Sequence, residues 1–582
     1  MLNPQRLNRV EGSHLVSEMD YDPEVQNGFD FPTPLELIDS TIRKSFFTAG
    51  AVTSGAGYQR IAEALGGLGI RVECINVNWS GSPQPAPQDL AVLQAVTAHD
   101  FGFAVNVYAD ALLGNGQDPQ PVSTRQAIET LIEAGARVLA PGIVQAPSLD
   151  AEKRQLDQLD DYFELAAEFE VTTTITLAQV GLRDFDRLVG VARHAVSRGA
   201  TRLDLMDSTS SMSPEAMRVF VRRFREQVGS DVAITMHMHD EFGLATAGAI
   251  AAATAGASPD VAVNGMSYRC GFAPLEEVVL ALETLYGVDT GIELAKIMDV
   301  SRVVERETGI SVPALKPLVG GYAYLKHMPG DAAAAIRTGQ SAFPPISHGL
   351  TPSAMGQRVS WVWGGLSSDS MVEALADQLG ERLTEAEIAT VRRALDAEVA
   401  AVSVYPRWLD EDEAVLRFRQ ALSITREVGT DPETIIAGLG VGPALADRLG
   451  IALKDVDVAA FPAVIGRTVS ELDPDAALEA LDAFRPFDQP DAPATGTASA
   501  TEEGGIEPAD RLLIAQLARR YQDRFGFPFV VAAEGRSGLD VLSTLAHRMG
   551  QDRSTEIDIA TAEAAAILQQ RARALLCARL GS

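Results

Sequence analysis

The N-terminal half of the chain alternates short apolar, β-branched runs with longer stretches of helical periodicity. Several of the helical stretches end in glycine followed by a small or apolar residue, as at Gly69 and Gly135, and glycine adopts the left-handed conformation that ends a helix. Eight consecutive βα units in about 250 residues predict a closed (β/α)₈ barrel. An open sheet is the alternative. The candidate strands span residues 36–43, 71–79, 103–109, 137–144, 171–180, 202–209, 233–240 and 260–267.

The pattern changes after about residue 310. Segments interrupted by glycine and proline give way to helical stretches, and DQPDAPATGTASATEEGG (488–505) is typical of a flexible loop. We therefore predict an α/β barrel, a small helical subdomain and an all-α C-terminal domain. The predicted boundaries are an N-terminal arm at 1–35, the barrel at 36–310, a linker and helical subdomain at 311–427 and the C-terminal domain at 428–582.

Composition and charge narrow the class of partner. The 582 residues carry a formal net charge of −31, which opposes binding to nucleic acid or to an anionic membrane. The three cysteines are too scattered for a disulfide framework. No apolar run reaches the roughly 18 to 20 residues of a spanning helix. These features predict a cytoplasmic protein whose partners are neither nucleic acid nor a membrane.

The sharpest candidate site is His237-Met238-His239-Asp240, at the end of the seventh predicted strand. Period-two alternation places both histidines on one face of a strand, and in a barrel one face points inward. Two imidazoles that close can share a divalent metal ion. A pair of hydrogen-bonded core histidines is the alternative interpretation.

Three segments carry a resemblance to a known family: DSTIR (39–43), MHMHDEFGLA (236–245) and NGMSYRCGFAPLEEVV (264–279), supported by LMDSTSSMSPEAM (205–217) and HMPG (327–330). They resemble the DRE-TIM metallolyases, the HMGL-like family that contains 2-isopropylmalate, homocitrate and citramalate synthases and 3-hydroxy-3-methylglutaryl-CoA lyase. The resemblance covers roughly residues 35–420 and implies the barrel fold, a homodimer, a divalent metal ion such as Mg, Mn or Zn, and a reaction between a 2-oxo acid and an acyl-CoA.

This chain departs from the family pattern at positions that lie at or near the metal ion in the family. In the family an arginine equivalent to Arg43 stabilises the enolate oxygen, and the next residue is an aspartate that ligates the metal, whereas this chain has Lys44. The resemblance assigns the metal histidines to His237 and His239. A glutamate and an asparagine of the glycine-rich motif are replaced by Tyr268 and Phe272.

Three roles for Lys44 remain open at this stage. Its ammonium group could supply the positive charge that a metal ion would give to a developing enolate. It could be a desolvated amine that forms a Schiff base with a keto substrate. Alternatively, Lys44 points into solvent or a salt bridge while Asp39, Asp207 or Asp240 completes a shifted metal site.

Other candidate residues close the remaining strands or follow the barrel. Arg269 is suited to bind a carboxylate or phosphate, and a structural salt bridge is its alternative. His327 and Tyr268 are candidates for proton transfer, and a surface loop histidine is the alternative for His327. The predicted substrate-binding residues are Arg269, Asp207, Thr209, Gln179 and Glu502.

The C-terminal region, about residues 430–578, resembles the 2-oxo-4-hydroxy-4-carboxy-5-ureidoimidazoline (OHCU) decarboxylases through RRYQDRFGFPFVVAAEGRSGLDVL (519–542) and the helices that follow. The family's catalytic histidine-proline pair corresponds to FRPFDQ (484–489), which has no histidine, and Glu502 matches the catalytic glutamate.

Two resemblances and a changed metal motif leave three hypotheses about function. The first is a synthase, or the reverse lyase, that joins a 2-oxo acid to an enolate donor with Arg43, Lys44, His327 and Tyr268 as catalytic residues. The second is a non-catalytic scaffold of the same fold. The third is a decarboxylase acting through the C-terminal domain.

Overall fold

The structure is a computed structural model that describes residues 17–113, 122–340, 352–400, 408–426, 432–456, 458–482, 484, 508–532 and 538–579. The chain divides into two compact units. The first contains residues 1–324 and 344–358, and the second contains residues 325–343 and 359–582. Among the described residues, no helix is long and apolar enough to cross a membrane.

The first unit is a closed barrel of parallel strands. The strands pair in the order β4-β3-β2-β1-β9-β8-β7-β6-β5, and a further pairing of β4 with β6 closes the ring. Because β4 and β5 are consecutive pieces of one barrel strand, the ring has eight positions, as the sequence predicts. The strands are β1 Ile38–Asp39, β2 Val72–Val77, β3 Ala104–Ala109, β4 Val138–Ala140, β5 Gly142–Ile143, β6 Thr172–Leu177, β7 Arg202–Asp207, β8 Ala233–Met238 and β9 Ser258–Val261.

Helices surround the strands and cover the barrel core. The core is made of apolar side chains from both layers, among them Ile61, Leu93 and Leu203, all fully buried. Burial of this apolar surface stabilises the unit. The helices are Pro23–Gln26, Thr41–Ser45, Gly55–Leu68, Pro87–Thr97, Thr124–Glu133, Leu149–Glu168, Phe185–Ser197, Pro214–Val228, Ala245–Ala253, Leu275–Leu285 and Ile297–Thr308.

Two predicted strands differ from the structure. The run 36–43 forms a strand only at Ile38–Asp39, and Thr41–Ser45 is a helical turn, so Arg43 and Lys44 lie on a helix. The last predicted strand, 260–267, ends at Val261, because Asn264 has a left-handed backbone conformation (φ +60°) that an extended strand excludes.

Gly69 ends the helix Gly55–Leu68 with φ +110°, as expected for a helix-ending glycine. A Cβ atom at Gly69 would lie 2.6 Å from the backbone oxygen of Gly291. We expect Gly69→Ala to lower the free energy of unfolding by about 2 to 4 kcal/mol, from the unfavourable conformation and the clash with fixed backbone. Chemical denaturation followed by circular dichroism measures this.

Gly199 provides the matched control, since its φ is +109° and no atom lies within 4 Å of its Cβ position. Gly199→Ala should therefore cost only about 1 kcal/mol, from the backbone conformation alone. Equal losses of unfolding free energy in the two variants would show that the clash with the Gly291 backbone oxygen makes no contribution.

The second unit is mainly helical. Its helices are Pro329–Thr338, Asp369–Leu379, Glu385–Ala400, Glu411–Arg426, Pro432–Leu439, Pro443–Ala452, Phe461–Ser470, Pro474–Asp482, Pro508–Phe525, Gly538–Arg548 and Arg553–Arg579. A two-stranded parallel sheet joins β10 Leu325–Lys326 to β11 Ser360–Trp361.

One apolar core runs through the second unit and includes Leu395 and Phe418 together with Tyr521 and Leu568. The Gln569 amide donates to the buried Glu398 carboxylate at 2.9 Å. Helices that the sequence assigns to a separate subdomain thus share a core with the C-terminal helices. The predicted boundary near residue 428 stays a prediction.

Candidate functional site

The helical turn Thr41–Ser45 places Arg43 and Lys44 beyond the C-terminal end of β1. Two buried carboxylates bind its first N–H groups: Asp39 Oδ1 accepts from the Thr41 N–H at 2.8 Å, and Glu73 Oε1 accepts from the Ile42 N–H at 2.9 Å. Burial and the neighbouring Asp39 raise the pKa of Glu73 well above its usual range. The turn is therefore held from β1 and β2, in the position where barrels carry their chemistry.

Lys44 points inward and is 2% exposed. Its Nζ lies 3.1 Å from His237 Nε2 and 3.4 Å from His239 Nε2. The two histidines are brought to one side of the barrel by β8 and the residues just after it, as the period-two alternation predicts. The alternative in which Lys44 points into solvent is wrong, because the side chain is enclosed between the two imidazoles.

The hydrogen-bond partner of Nδ1 in each imidazole indicates which ring nitrogen carries the hydrogen. It therefore also indicates whether Nε2 can accept a hydrogen bond from Lys44. His239 Nδ1 lies 3.2 Å from the Gly271 carbonyl, which only accepts, so Nδ1 carries the hydrogen. His237 Nδ1 lies 2.5 Å from Asp260 Oδ2. With the Asp260 carboxylate ionised and accepting from His237 Nδ1, both rings direct an Nε2 lone pair at Lys44 Nζ.

Aromatic rings enclose the same amine. Lys44 Nζ is 4.4 Å from the centre of the Phe272 ring and 5.6 Å from that of Tyr268. Phe47 packs on Tyr268, with ring centres 5.8 Å apart. Burial, and next the positive charge of Arg43, lower the pKa of Lys44 well below its usual range.

The histidines and Asp260 also respond to this enclosed environment. Burial lowers the pKa of His239 to about 3. Burial also lowers the pKa of His237 well below its usual range. Burial raises the pKa of Asp260 to about 7. Both imidazoles are accordingly neutral at physiological pH, which keeps their Nε2 lone pairs available.

Arg43 is fixed beside this cluster by two contacts. Its Nε donates to Asn76 Oδ1 at 2.8 Å, and its guanidinium lies 4.0 Å from the centre of the Tyr108 ring. The Tyr108 hydroxyl in turn donates to Asp204 Oδ2 at 3.2 Å. Arg43 Nη1 is buried and has no hydrogen-bond partner among the described residues. A buried donor without a partner is costly, so this one is suited to an oxygen of a ligand.

Three other predicted site residues use their polar atoms in hydrogen bonds or ion pairs with neighbouring protein groups. Asp207 accepts from the backbone N–H groups of Ser211 (2.9 Å) and Met212 (3.0 Å) and so closes the loop after β7. Arg269 forms a 2.7 Å ion pair with Glu241, as in the salt-bridge alternative. Asp240 Oδ1 accepts from the Ala245 N–H at 2.8 Å.

The remaining predictions fall outside the cluster. Thr209 is exposed in the loop after β7, and Gln179 has a left-handed backbone (φ +55°) in the loop after β6. His327 is exposed in the second unit. Glu502 and most of 484–489 lie outside the described residues.

A divalent metal ion does not fit these residues. The Lys44 amine occupies the space faced by the two Nε2 lone pairs that a metal ion would need. The described residues contain no group of three or more histidine, cysteine or acidic side chains able to hold a metal ion. The carboxylates proposed for a shifted site, Asp39, Asp207 and Asp240, bind backbone N–H groups instead.

Asp260, Asn76 and Tyr108 belong to the site but were missed in the sequence. The residues predicted from the sequence stand at the ends of the predicted strands, whereas Asp260 and Tyr108 lie within strands and point inward. A buried acidic residue in an apolar run, such as Asp260 in SPDVAV (258–263), is the signal that could have identified one of them.

Comparisons with known proteins agree with both predicted resemblances. Residues 34–304 match the family model described as HMGL-like, and residues 442–573 match the OHCU decarboxylase model. The chain is 29% identical over 452 residues to a putative (R)-citramalate synthase of Methanopyrus kandleri, covering 73% of this chain and 85% of the relative. It is 34% identical over 243 residues to a homocitrate synthase of the same organism, covering 42% and 59%.

One solved structure aligns with about half of this chain. The hydroxymethylglutaryl-CoA lyase of Pseudomonas aeruginosa aligns with a TM-score of 0.40 and 18% identity, over 48% of this chain and 95% of the lyase.

Proposed function

Since residues 34–304 form an HMGL-like domain and residues 442–573 an OHCU decarboxylase domain, we propose that this chain makes or breaks a carbon–carbon bond beside the carbonyl of a 2-oxo acid. Lys44 takes the place of the divalent metal ion in that reaction. The relatives are named as citramalate, homocitrate and 2-isopropylmalate synthases. An acyl-CoA as the second substrate and a homodimeric assembly stay predictions.

The observation that carries this proposal is the position of Lys44 Nζ, within hydrogen-bond distance of both His237 Nε2 and His239 Nε2. A carboxylate at residue 44 would attract a dication to the two lone pairs, whereas the Lys44 amine occupies that position and offers the dication no negative charge. The site therefore keeps an electrophilic centre where the family holds a metal ion, and the protein supplies that centre itself.

Arg43 and Lys44 bind different groups of the proposed substrate. Arg43 Nη1 is the buried donor available to an anionic oxygen, and guanidinium groups pair well with carboxylates. Lys44 is the group beside the reacting carbonyl. Tyr268 and Phe272 line one side of Lys44, and Phe47 packs on Tyr268; apolar surroundings of this kind strengthen electrostatic contacts.

The activity is tested with the full chain, a panel of 2-oxo acids and acetyl-CoA, by measuring the free thiol of released CoA. We expect thiol release that depends on one 2-oxo acid of the panel. The absence of turnover in both directions, together with no shift in melting temperature by any panel member, would favour the scaffold hypothesis, because a ligand that binds the folded state must stabilise it.

Metal content tests the role of residue 44. We expect the unaltered chain to remain metal-free after incubation with Mg²⁺, Mn²⁺ or Zn²⁺ and desalting, and Lys44→Asp to retain about one equivalent, because it restores a carboxylate beside two imidazole lone pairs. Elemental analysis measures both.

The control is Lys44→Asp combined with His237→Ala and His239→Ala, which should lose that metal. One equivalent in the unaltered chain that disappears in the His237→Ala/His239→Ala variant would refute the replacement of the metal by Lys44.

A further inference from the structure

Lys44 differs from the other buried lysines of the chain in its partners. Lys316 lies 2.9 Å from Glu277 and 3.3 Å from Glu276, and Lys326 lies 3.0 Å from Asp331. Among the described residues, no carboxylate lies within ion-pair distance of Lys44, whose contacts are two imidazole nitrogens and aromatic rings. An ammonium without a carboxylate is costly to bury, so this environment favours the neutral amine.

The count of hydrogen-bond partners agrees with a neutral amine. A primary amine has two N–H donors and one lone pair, whereas an ammonium has three donors. The two donors match the Nε2 lone pairs of His237 and His239, at 3.1 and 3.4 Å. The nitrogen lone pair is left over, and a desolvated amine with a free lone pair is a nucleophile toward carbonyl carbon.

The neighbouring residues suit a 2-oxo acid as the electrophile. Such an acid carries a carboxylate directly beside its keto group. Arg43, the preceding residue on the same turn, offers the buried Nη1 donor to that carboxylate while Lys44 faces the keto carbon. The Phe272 ring, 4.4 Å from Nζ, stabilises the positive charge that develops on the nitrogen.

We propose that Lys44 is a covalent nucleophile that forms an imine with the keto group of a 2-oxo acid. This inference rests on the proposed function and specifies how Lys44 acts as its electrophilic centre. The nitrogen lone pair forms the bond from Nζ to the keto carbon, and the π electrons of the carbonyl move to its oxygen.

The oxygen then leaves as water. One of its two protons comes from the attacking amine and passes through His237 Nε2, and the other comes from solvent. The product is a protonated imine that keeps one hydrogen on nitrogen. Asp260, at 2.5 Å from His237 Nδ1, stabilises the imidazole while it carries the proton. The positive charge of the iminium then withdraws electrons from the C–H bond beside the former keto carbon, so that loss of this proton makes that carbon the nucleophile that forms the carbon–carbon bond. Hydrolysis of the imine afterwards restores the keto group and frees the Lys44 amine.

The experiment is reductive trapping of the full chain with pyruvate and sodium cyanoborohydride near neutral pH, followed by peptide mass spectrometry. The same reaction is run with 2-oxobutyrate and 2-oxoisovalerate. We expect the mass of one reduced 2-oxo acid on the peptide that contains Lys44. Lys316 and Lys326 serve as internal controls, since each is held in an ion pair by a carboxylate, and they should remain unmodified. Lys44→Arg should abolish the adduct.

The outcomes separate this inference from the proposed function. No adduct at Lys44 with any of the three acids overturns the imine, and if CoA release persists in that case, the proposed function stands with Lys44 as a non-covalent cation. Labelling of Lys316 or Lys326 to the same extent as Lys44 also overturns the inference, because it would show general lysine reactivity. An adduct at Lys44 without CoA release supports the imine and contradicts the condensation with acetyl-CoA.

Discussion

Lys44→Met is expected to lower the rate of CoA release by about a thousandfold or more, because it removes the group that faces the reacting carbonyl while leaving the volume of the side chain similar. The free energy of unfolding should change by no more than about 1 kcal/mol. Removal of a desolvated amine is favourable, but it leaves two imidazole nitrogens without a donor, and the two effects offset each other. Steady-state kinetics and chemical denaturation measure the two quantities.

Lys44→Arg refines this result, since arginine retains a positive charge but forms no imine under these conditions. If Lys44 acts covalently, the arginine variant is as inactive as the methionine variant. Retention of a tenth or more of the rate by Lys44→Arg would indicate that charge alone is sufficient. A methionine variant with unchanged turnover would contradict any role of Lys44 in the chemistry.

Arg548→Met is expected to lower the free energy of unfolding of the second unit by about 3 to 5 kcal/mol, because it leaves the Glu556 carboxylate buried without its cation. The Arg548 Nε donates to Glu556 Oε1 at 2.6 Å, and Arg548 Nη1 donates to the Val530 carbonyl at 2.7 Å. Both side chains are buried. Three of the four tryptophans lie in the second unit, so fluorescence during chemical denaturation reports chiefly on it.

Two further variants test the cause of that loss. Arg448→Met removes an exposed ion pair with Asp473 at 3.5 Å and should cost less than about 1 kcal/mol. Arg548→Met combined with Glu556→Gln should recover part of the loss, since the unpaired charge is then gone. If Arg548→Met alone were as stable as the unaltered chain, the buried pair of Arg548 and Glu556 would have no stabilising role.

The fold was predictable because it depends on patterns local in the sequence. Alternating strands and helices and glycines such as Gly69 are visible in the sequence alone, and the closed barrel is confirmed. The helical turn that carries Arg43 and Lys44 was not predictable, because it depends on Glu73, a residue of the next strand, accepting the Ile42 N–H. No local pattern reveals such a contact.

The candidate site was predictable only in part, for a similar reason. The two histidines follow from period-two alternation, and the replacement of the family's aspartate by Lys44 is visible in the sequence. That Asp207 and Arg269 use their polar atoms on Ser211 and Glu241 is a property of the folded loops. Residue type alone could not separate a carboxylate that meets a ligand from one that closes a loop.

The two imidazole nitrogens that converge on residue 44 also constrain how such a site evolves. No single-base change converts an aspartate codon to a lysine codon, so the exchange has to pass through asparagine or glutamate. Both intermediates present an oxygen rather than a positive charge to His237 and His239. A lineage that exchanged aspartate for lysine at this position could therefore have kept a ligating side chain until the last mutation, which placed an amine between the two imidazoles.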